Sequence, residues 1–435
     1  MFFTPGYFFV KIFSCSFRKI LKEEDIEMSE KFDAIIAKKD EAAQFMLDEI
    51  THICKDMPKR DPGSDGERIA CEYMAEQMKE FGCERADVES FKENPGSFYG
   101  WIHISFTLAF LAVICFFQNI QILTIIFLVG ALLLALLQFG MYKKVVDFMF
   151  PEKTGTNVTA VKSCTGEVKR RIFFNGHPDA AWEWPANYLG GGVLFEGLII
   201  VSAAGVVGYL VLAIIALVNG GLTDQLGLIG KWFFLFFPFW IYMFFMWNRN
   251  RVVDGANDNL SGCYMGIAIL KYMKEQGIEL ENTEVGVILS GSEEAGLRGA
   301  KAWCEAHKGE FDDVPTFIYS YDTIHDPKYL LTNYRDLNAT VKADKDVSDL
   351  FMEAAAELDI KCSKGMVPPL GGATDNAAFA QAGFRSTGIT GLNHKLENYY
   401  HTRRDSYDNM DLKGLGDCFA VSVRVLDKFD QGAKQ

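Results

Sequence analysis

The sequence predicts an α/β fold: a mostly parallel mixed sheet with helices on both faces, interrupted by four transmembrane helices inserted as two hairpins. Three observations carry this reading. Short apolar strands alternate with helical segments along the polar part of the chain. Four other stretches are each apolar over roughly 20 residues, enough to cross a hydrocarbon core of about 30 Å as a helix. Residues able to do chemistry cluster just after the strands, where open α/β sheets bind ligands.

Taken in order, Met1–Phe17 is aromatic and weakly basic without a small-residue cleavage site, so it is not read as a secretory signal. Residues 1–27 are an N-terminal extension, either a translation-start artefact or a peripheral anchor, and Met28 opens an amphipathic segment. Glu41–Phe81 reads as two helices around a turn at Pro58–Gly66. Phe98–Phe117 and Ile120–Tyr142 form the first hairpin. Val158–Val161 and Arg171–Phe174 read as strands either side of a turn at Ser163–Glu167. Gly197–Val218 and Gly227–Trp247 form the second hairpin. An amphipathic helix (Ser261–Gln276), a strand (Glu284–Ser290), a helix (Ala300–His307), a strand (Thr316–Tyr321) and two helices (Asp346–Glu357, Leu412–Lys428) complete the chain. One soluble domain is thus expected from residues 28–97, 143–196 and 248–435, with hairpins at 98–142 and 197–247.

The apolar stretches carry almost no charge. Lys143 follows the second, Glu196 precedes the third, and only Lys231 lies in the fourth, near its start, where its stem can snorkel. Trp101, Trp232, Trp240 and Trp247 lie towards the ends, as interfacial aromatics do. Lys143, Lys144, Arg249 and Arg251 follow the hairpins, whereas the links inside them carry no positive charge. By the positive-inside rule, the protein is an integral protein of the cell membrane with its soluble domain on the cytoplasmic side.

Composition excludes other classes. A formal net charge of −14 argues against a nucleic-acid partner, which needs a basic surface to displace counterions. A hydrophobic fraction of 49% excludes disorder. The 10 cysteines show no CxxC pair, so reduced thiols are expected in the cytoplasm. The triplets starting at Asn157, Asn259 and Asn338 match the glycosylation pattern but have no consequence in that compartment.

The strand Arg171–Phe174 is followed by Asn175-Gly176-His177-Pro178-Asp179. Asp254-Gly255-Ala256-Asn257-Asp258-Asn259 leads into a helix, Gly291-Ser292-Glu293-Glu294-Ala295-Gly296 follows a strand, and Phe317–Tyr321 runs into Asp322. Tyr399-Tyr400-His401-Thr402-Arg403-Arg404-Asp405 lies near the C-terminus. Two imidazoles and several carboxylates without a thiolate suit zinc, or manganese or cobalt in its place, at a catalytic site. Each motif alone is weak: a lone His is usually structural, and a Glu-Glu pair is usually a solvated helix face. Their joint occurrence carries the weight.

The series His-x-Asp, Asp-Asn-x-Ser-Gly, Glu-Glu-Ala-Gly, Asp and Tyr-His-Thr resembles the co-catalytic zinc metallopeptidases of the bacterial leucyl aminopeptidase, glutamate carboxypeptidase and glutaminyl cyclase type. Gly371-Gly372-Ala373-Thr374-Asp375 resembles that family's Gly-x-Ser-Asp loop. The resemblance spans roughly residues 40–430 outside the hairpins and implies the zinc exopeptidase fold and two Zn2+ ions. It implies that Asp258 bridges them, with His177 and Asp322 completing one site and Glu294 and His401 the other. It further implies Glu293 as general base, Asp179 orienting His177 from behind, and a peptide substrate, most simply for an aminopeptidase. The chain departs from the pattern at Pro178 and in the long gap from His177 to Asp258, which holds the second hairpin. A glutaminyl cyclase-like acyl transferase and a non-catalytic receptor or scaffold are the competing readings. The retained ligand positions favour the peptidase.

Other residues read more plainly. His307, His325 and His394 are expected to be surface or structural, and Cys263 to pack as a small apolar side chain. Arg403, Arg404 and Asp405 are either a substrate-carboxylate site or a solvated cluster; Tyr399 and Tyr400 either line the pocket or stabilise an oxyanion. Only short linkers join the His177 loop to the third apolar stretch and the fourth to Asp258. At about 3.3 Å per residue these place the site near the membrane surface, with Trp182 and Trp184 at its rim.

Overall fold

The computed structural model describes residues 28–393 and 395–434. The N-terminal extension and His394 lie outside the described residues. Residues 28–36 are helical, and the helices Lys39–Asp56 and Asp65–Glu80 follow, separated by a turn that includes Pro58–Gly63. Ser64 caps the second, accepting from the Glu67 N–H, which satisfies one of the donors a helix start leaves open.

Nine strands build one sheet: β1 (Arg85–Glu93), β2 (Lys153–Lys162), β3 (Arg170–Gly176), β6 (Thr283–Ser290), β7 (Thr316–Ile324), β8 (Leu331–Asp336), β9 (Val341–Lys342), β10 (Ser363–Met366) and β11 (Arg385–Gly391). Their order is β1-β2-β6-β3-β7-β11-β8-β10, with β9 on β8. The centre, β6-β3-β7-β11, is parallel, while β1, β2 and the β11-β8 pair are antiparallel. The sheet is therefore more mixed than the strand–helix alternation alone predicts. β7 is buried along its whole length, as a parallel strand covered on both faces should be.

Alternation along β3 explains the two cores. Ile172 and Phe174 face a layer containing the helices Lys39–Asp56, Ser261–Glu275 and Leu412–Asp430. Phe173 points the other way, towards Trp303 and Phe311, in an apolar cluster that continues into the hairpins through Phe98, Phe106 and Trp240. The hairpins are thus packed onto the domain, not tethered beside it.

Four helices are long and apolar enough to cross a membrane, by length and composition: Ser97–Phe117, Gln121–Gly140, Pro185–Val218 and Asp224–Met243. Three details differ from the sequence reading. The third helix starts at Pro185, not Gly197, because Pro fits a first helical turn; it breaks at Gly191 (φ 64°, ψ −171°), where a residue without a Cβ is required. The fourth comprises two short helices, Asp224–Trp232 and Phe237–Met243, around a 3-10 turn, with Pro238 opening the second. Trp240 is not interfacial: it is fully buried between the helices and donates its indole N–H to the Ser202 carbonyl at 2.9 Å. Outward positions such as Ile114, Ile122, Ile200 and Leu235 are exposed. β4 (Trp182–Glu183) and β5 (Asn248–Val252) pair antiparallel, joining the chain before the second hairpin to the chain after it.

The helix Ser261–Glu275 meets the end of β3 at Gly176, where a Cβ would lie 2.4 Å from both the Gly262 carbonyl carbon and the Cys263 nitrogen. Both are backbone atoms that cannot move aside. Gly176→Ala is expected to destabilise the protein by about 1–3 kcal/mol, the usual range for overpacking, and to displace His177. Thermal unfolding of the detergent-solubilised chain checks it; an unchanged midpoint would contradict this packing.

Candidate metal centre

Five chain segments bring their functional side chains to one place at the carboxyl ends of the parallel strands. His177 follows β3, and Asp322 lies in the last turns of β7. Asp258 sits in the irregular turn Ala256–Leu260 that leads into Ser261–Glu275, and its peptide bond to Asn259 is cis. Glu293 and Glu294 open a 3-10 turn after β6, entered through Ser292 in the left-handed region (φ 56°). His401 lies in the turn before the last helix.

The two oxygens of Asp258 face different imidazoles. Oδ1 is 3.2 Å from His177 Nε2 and Oδ2 is 3.1 Å from His401 Nε2. Glu294 Oε1 is 3.0 Å from His401 Nε2. Two groups result, His177–Asp258–Asp322 and Asp258–Glu294–His401, each with one ligand atom per residue and all of these within 4.8 Å of one another. Every member is buried. The ring nitrogens of both histidines, Asp258 Oδ2 and Glu294 Oε1 have no hydrogen-bond partner, although buried polar atoms are normally satisfied. Imidazole and carboxylate without thiolate suit zinc, so the residues present fit a pair of such ions sharing Asp258.

The electrostatics point the same way. Burial, reinforced by the Asp258 charge and opposed by His177, pushes the Asp322 carboxyl up to about 8. Burial disfavours a charged His401, but Glu294 and Asp258 outweigh it and raise the imidazole to about 10. Asp258 is held below the usual carboxylate range despite burial, through His177 and His401. Burial raises Glu293 well above its ordinary range, with His177 opposing and Glu294 adding. So many carboxyls crowded out of water call for cationic charge.

Asp179 lies behind this set. Its Oδ1 and Oδ2 accept from the Glu293 and Glu294 N–H groups, each at 3.0 Å, and Oδ1 is 3.3 Å from His177 Nδ1. It therefore fixes the Glu-Glu turn and lies beside the imidazole without a hydrogen bond to it. Asp375 accepts from the Ser290 hydroxyl just below. Asp405 belongs to the scaffold: it accepts from the Asn257 and Asp258 N–H groups at 2.8 and 3.2 Å. Arg403 pairs with Glu183, and Arg404 donates to the Tyr188 carbonyl and stacks on its ring. Tyr400 stacks on His401 at 4.1 Å and 14°; Tyr399 packs on His325, which contacts Asn257 Oδ1 at 3.0 Å. His307 lies between Glu89 and Glu310, and Cys263 is buried, both structural as expected.

Sequence reasoning missed the buried side chains that hold the loops together. Arg60, 1% exposed, donates from Nε to the Pro178 carbonyl at 2.7 Å and from Nη2 to the Asp254 and Gly255 carbonyls at 2.6 and 3.2 Å. It ties the His177 loop to the Asp258 loop. The Ser292 hydroxyl lies 2.9 Å from Glu67 Oε1 and 2.6 Å from Glu93 Oε1. A hydroxyl has one proton, so the second short contact needs a protonated carboxyl, and burial raises Glu93 to about 7. An arginine in a Pro-bounded turn and two isolated glutamates carry no signal in a single sequence.

Residues 245–426 match Peptidase family M28. No curated protein matches the sequence significantly. The structure is similar to an aminopeptidase from Aneurinibacillus sp. strain AM-1 (13% identity, TM-score 0.53, 89% of this chain and 93% of that one). It is also similar to BSAP, a zinc aminopeptidase from Bacillus subtilis (12%, TM-score 0.52, 88% and 94%), and to a glutaminyl cyclase from Porphyromonas gingivalis (12%, TM-score 0.51, 90% and 98%). At such identities these likenesses concern the fold; the family match spans a segment that contains Asp258, Glu293, Glu294, Asp322 and His401. Residues 245–426 therefore carry a segment that matches peptidase family M28, on a fold shared with zinc aminopeptidases.

Proposed function

We propose that the chain is a membrane-anchored, two-zinc exopeptidase, an aminopeptidase, with its peptidase domain on the cytoplasmic side. The observation that carries this is Asp258, whose two oxygens lie 3.2 and 3.1 Å from two different imidazoles, the placement a bridging ligand needs. His177 and Asp322 would hold one ion with Asp258, and Glu294 and His401 the other. When bound, the ions supply Lewis acidity, which acidifies a water and offsets charge growing on a carbonyl oxygen. Glu293 is in neither ligand group and stands 3.9 Å from His177 Nε2, so its carboxylate is free to accept the proton of an attacking water and return it to the leaving amine. Asp179 keeps Glu293 in place through the Glu293 N–H. The four apolar helices support anchoring, and Lys143, Lys144, Arg249 and Arg251 beside them support the orientation.

Purified protein in detergent, assayed on fluorogenic aminoacyl substrates with zinc counted by elemental analysis, tests this. Two zinc ions per chain and chelator-sensitive release of the amino acid are expected. Cyclisation of an N-terminal glutamine with release of ammonia would replace the peptidase reading by the cyclase one. A protein without metal and without turnover would be a scaffold.

A further inference from the structure

We infer that the first hairpin, besides anchoring the protein, is one wall of the substrate pocket, with Phe98 and Tyr142 touching the substrate side chain, so that the enzyme takes apolar peptide ends presented at the membrane surface. This rests on the peptidase reading above and names the substrate class for it.

The hairpin begins at the metal centre. A Cβ on Gly296, two residues past Glu294, would lie 2.8 Å from Phe98 Cδ2 and 3.1 Å from its Cε2, so one edge of the Phe98 ring packs against the turn that carries both glutamates. Tyr142, just past the second helix, adopts the left-handed conformation (φ 50°), and its ring meets Phe98 edge-on at 4.9 Å. Its hydroxyl lies 3.3 Å from where a Cβ on Gly372 would be, in the loop leading to Asp375. Tyr99 extends the wall by packing on Trp182 and Trp247, and Trp184, one residue before the third helix, packs on His401 at 4.2 Å. An acidic floor below an aromatic wall suits a free ammonium group attached to a large apolar side chain.

A tether would not need the clamp that registers this wall. Arg298, 2% exposed, forms an ion pair with Asp147, Nη2 donating to Oδ1 at 3.0 Å, and donates to Ser97 Oγ at 3.1 Å and to the Ala295 carbonyl at 2.9 Å. Ser97 starts the first helix, Asp147 follows the second, and Ala295 belongs to the Glu293–Glu294 turn. Gln138, on the last turn of the second helix, accepts from the Val145 N–H at 2.9 Å and turns its amide nitrogen to Asp147 Oδ1 and Ser97 Oγ at 3.4 and 3.5 Å. Removing such an ion pair from water is costly, and here it fixes both hairpin ends against the catalytic turn. The presentation side follows from what lies next to the wall. Phe148 and Met149, past the second helix, and Leu370, beside Gly372, are 84%, 56% and 74% exposed, an apolar fringe of the kind that sits at a membrane interface.

The test uses the full chain in lipid nanodiscs, with wild type, Phe98→Ala and Tyr142→Leu compared on leucyl and alanyl substrates and zinc content measured for each. Both variants are expected to keep wild-type zinc and to lower the leucyl-to-alanyl ratio of kcat/KM by about tenfold, mostly through KM, in line with losing apolar contact in a pocket. A leucyl peptide bearing an apolar tail that partitions into the nanodisc is expected to be cleaved at least tenfold more efficiently than its untailed form. An unchanged leucyl-to-alanyl ratio in both zinc-replete variants, or equal cleavage of tailed and untailed peptides, overturns the inference while leaving the peptidase reading intact. A wild type inactive on every substrate overturns both.

Discussion

Glu293→Gln is expected to lower kcat by about a thousandfold, within the range that general acid–base groups contribute, without loss of zinc. The substitution is nearly isosteric, and the backbone N–H that anchors the residue to Asp179 Oδ1 at 3.0 Å is untouched. Glu293 is outside both ligand groups, so the ions keep His177, Asp258, Asp322, Glu294 and His401. What the amide removes is a basic oxygen in a buried, acid-rich site. There burial, with Glu294 and Asp375 adding and His177 opposing, raises the Glu293 carboxyl well above the usual range. The charge of bound cations works against that shift and favours the carboxylate, the form able to accept a proton. Single-turnover kinetics beside elemental analysis checks the claim. Retention of more than a tenth of the activity would show that another group is the base; loss of zinc would show that Glu293 is a ligand.

That His177, Asp258, Asp322, Glu294 and His401 come together was legible because most lie at or just past strand ends, and because imidazole and carboxylate in several such loops have few other uses. The central strands were legible too, since Ile172–Phe174 and Val285–Leu289 are short apolar runs bounded by polar turns. Three features were not. β8 and the edge strand β10 alternate weakly, and β10 contains Gly365, so they read as loop. The start of the third hairpin helix was hidden by Gly190-Gly191-Gly192, which reads as a break although helix runs on both sides of it. Trp240 read as an interfacial aromatic because the sequence does not show that Phe106, Tyr209 and Phe237 surround it. Arg60 and Arg298 share a cause: their partners are backbone carbonyls, or a carboxylate far away in the chain, and only the folded arrangement brings these together.

Asp258→Asn is the second large expected effect, and it separates a shared ligand from an ordinary one. A carboxylate offers an oxygen to each side, whereas an amide offers one oxygen and an NH2 group that cannot ligate. With Oδ1 facing His177 and Oδ2 facing His401, the substitution takes the donor from one group outright and leaves the other a neutral amide oxygen in place of a carboxylate, so both groups lose binding charge at once. Both zinc ions are expected to be lost and activity to fall at least as far as in Glu293→Gln. His401→Ala, in contrast, removes a donor from one group only and is expected to retain one ion. Stability gives an independent readout, because a ligand that binds only the folded chain stabilises it by mass action, about 4 kcal/mol when its free concentration is a thousand times Kd. Chelation should therefore lower the Tm of the wild type, and that of His401→Ala by less, while Asp258→Asn should melt at one temperature with zinc or with chelator. If Asp258→Asn still bound two ions, the groups would have to be separate sites, and the shared-carboxylate geometry on which the mechanism depends would be wrong.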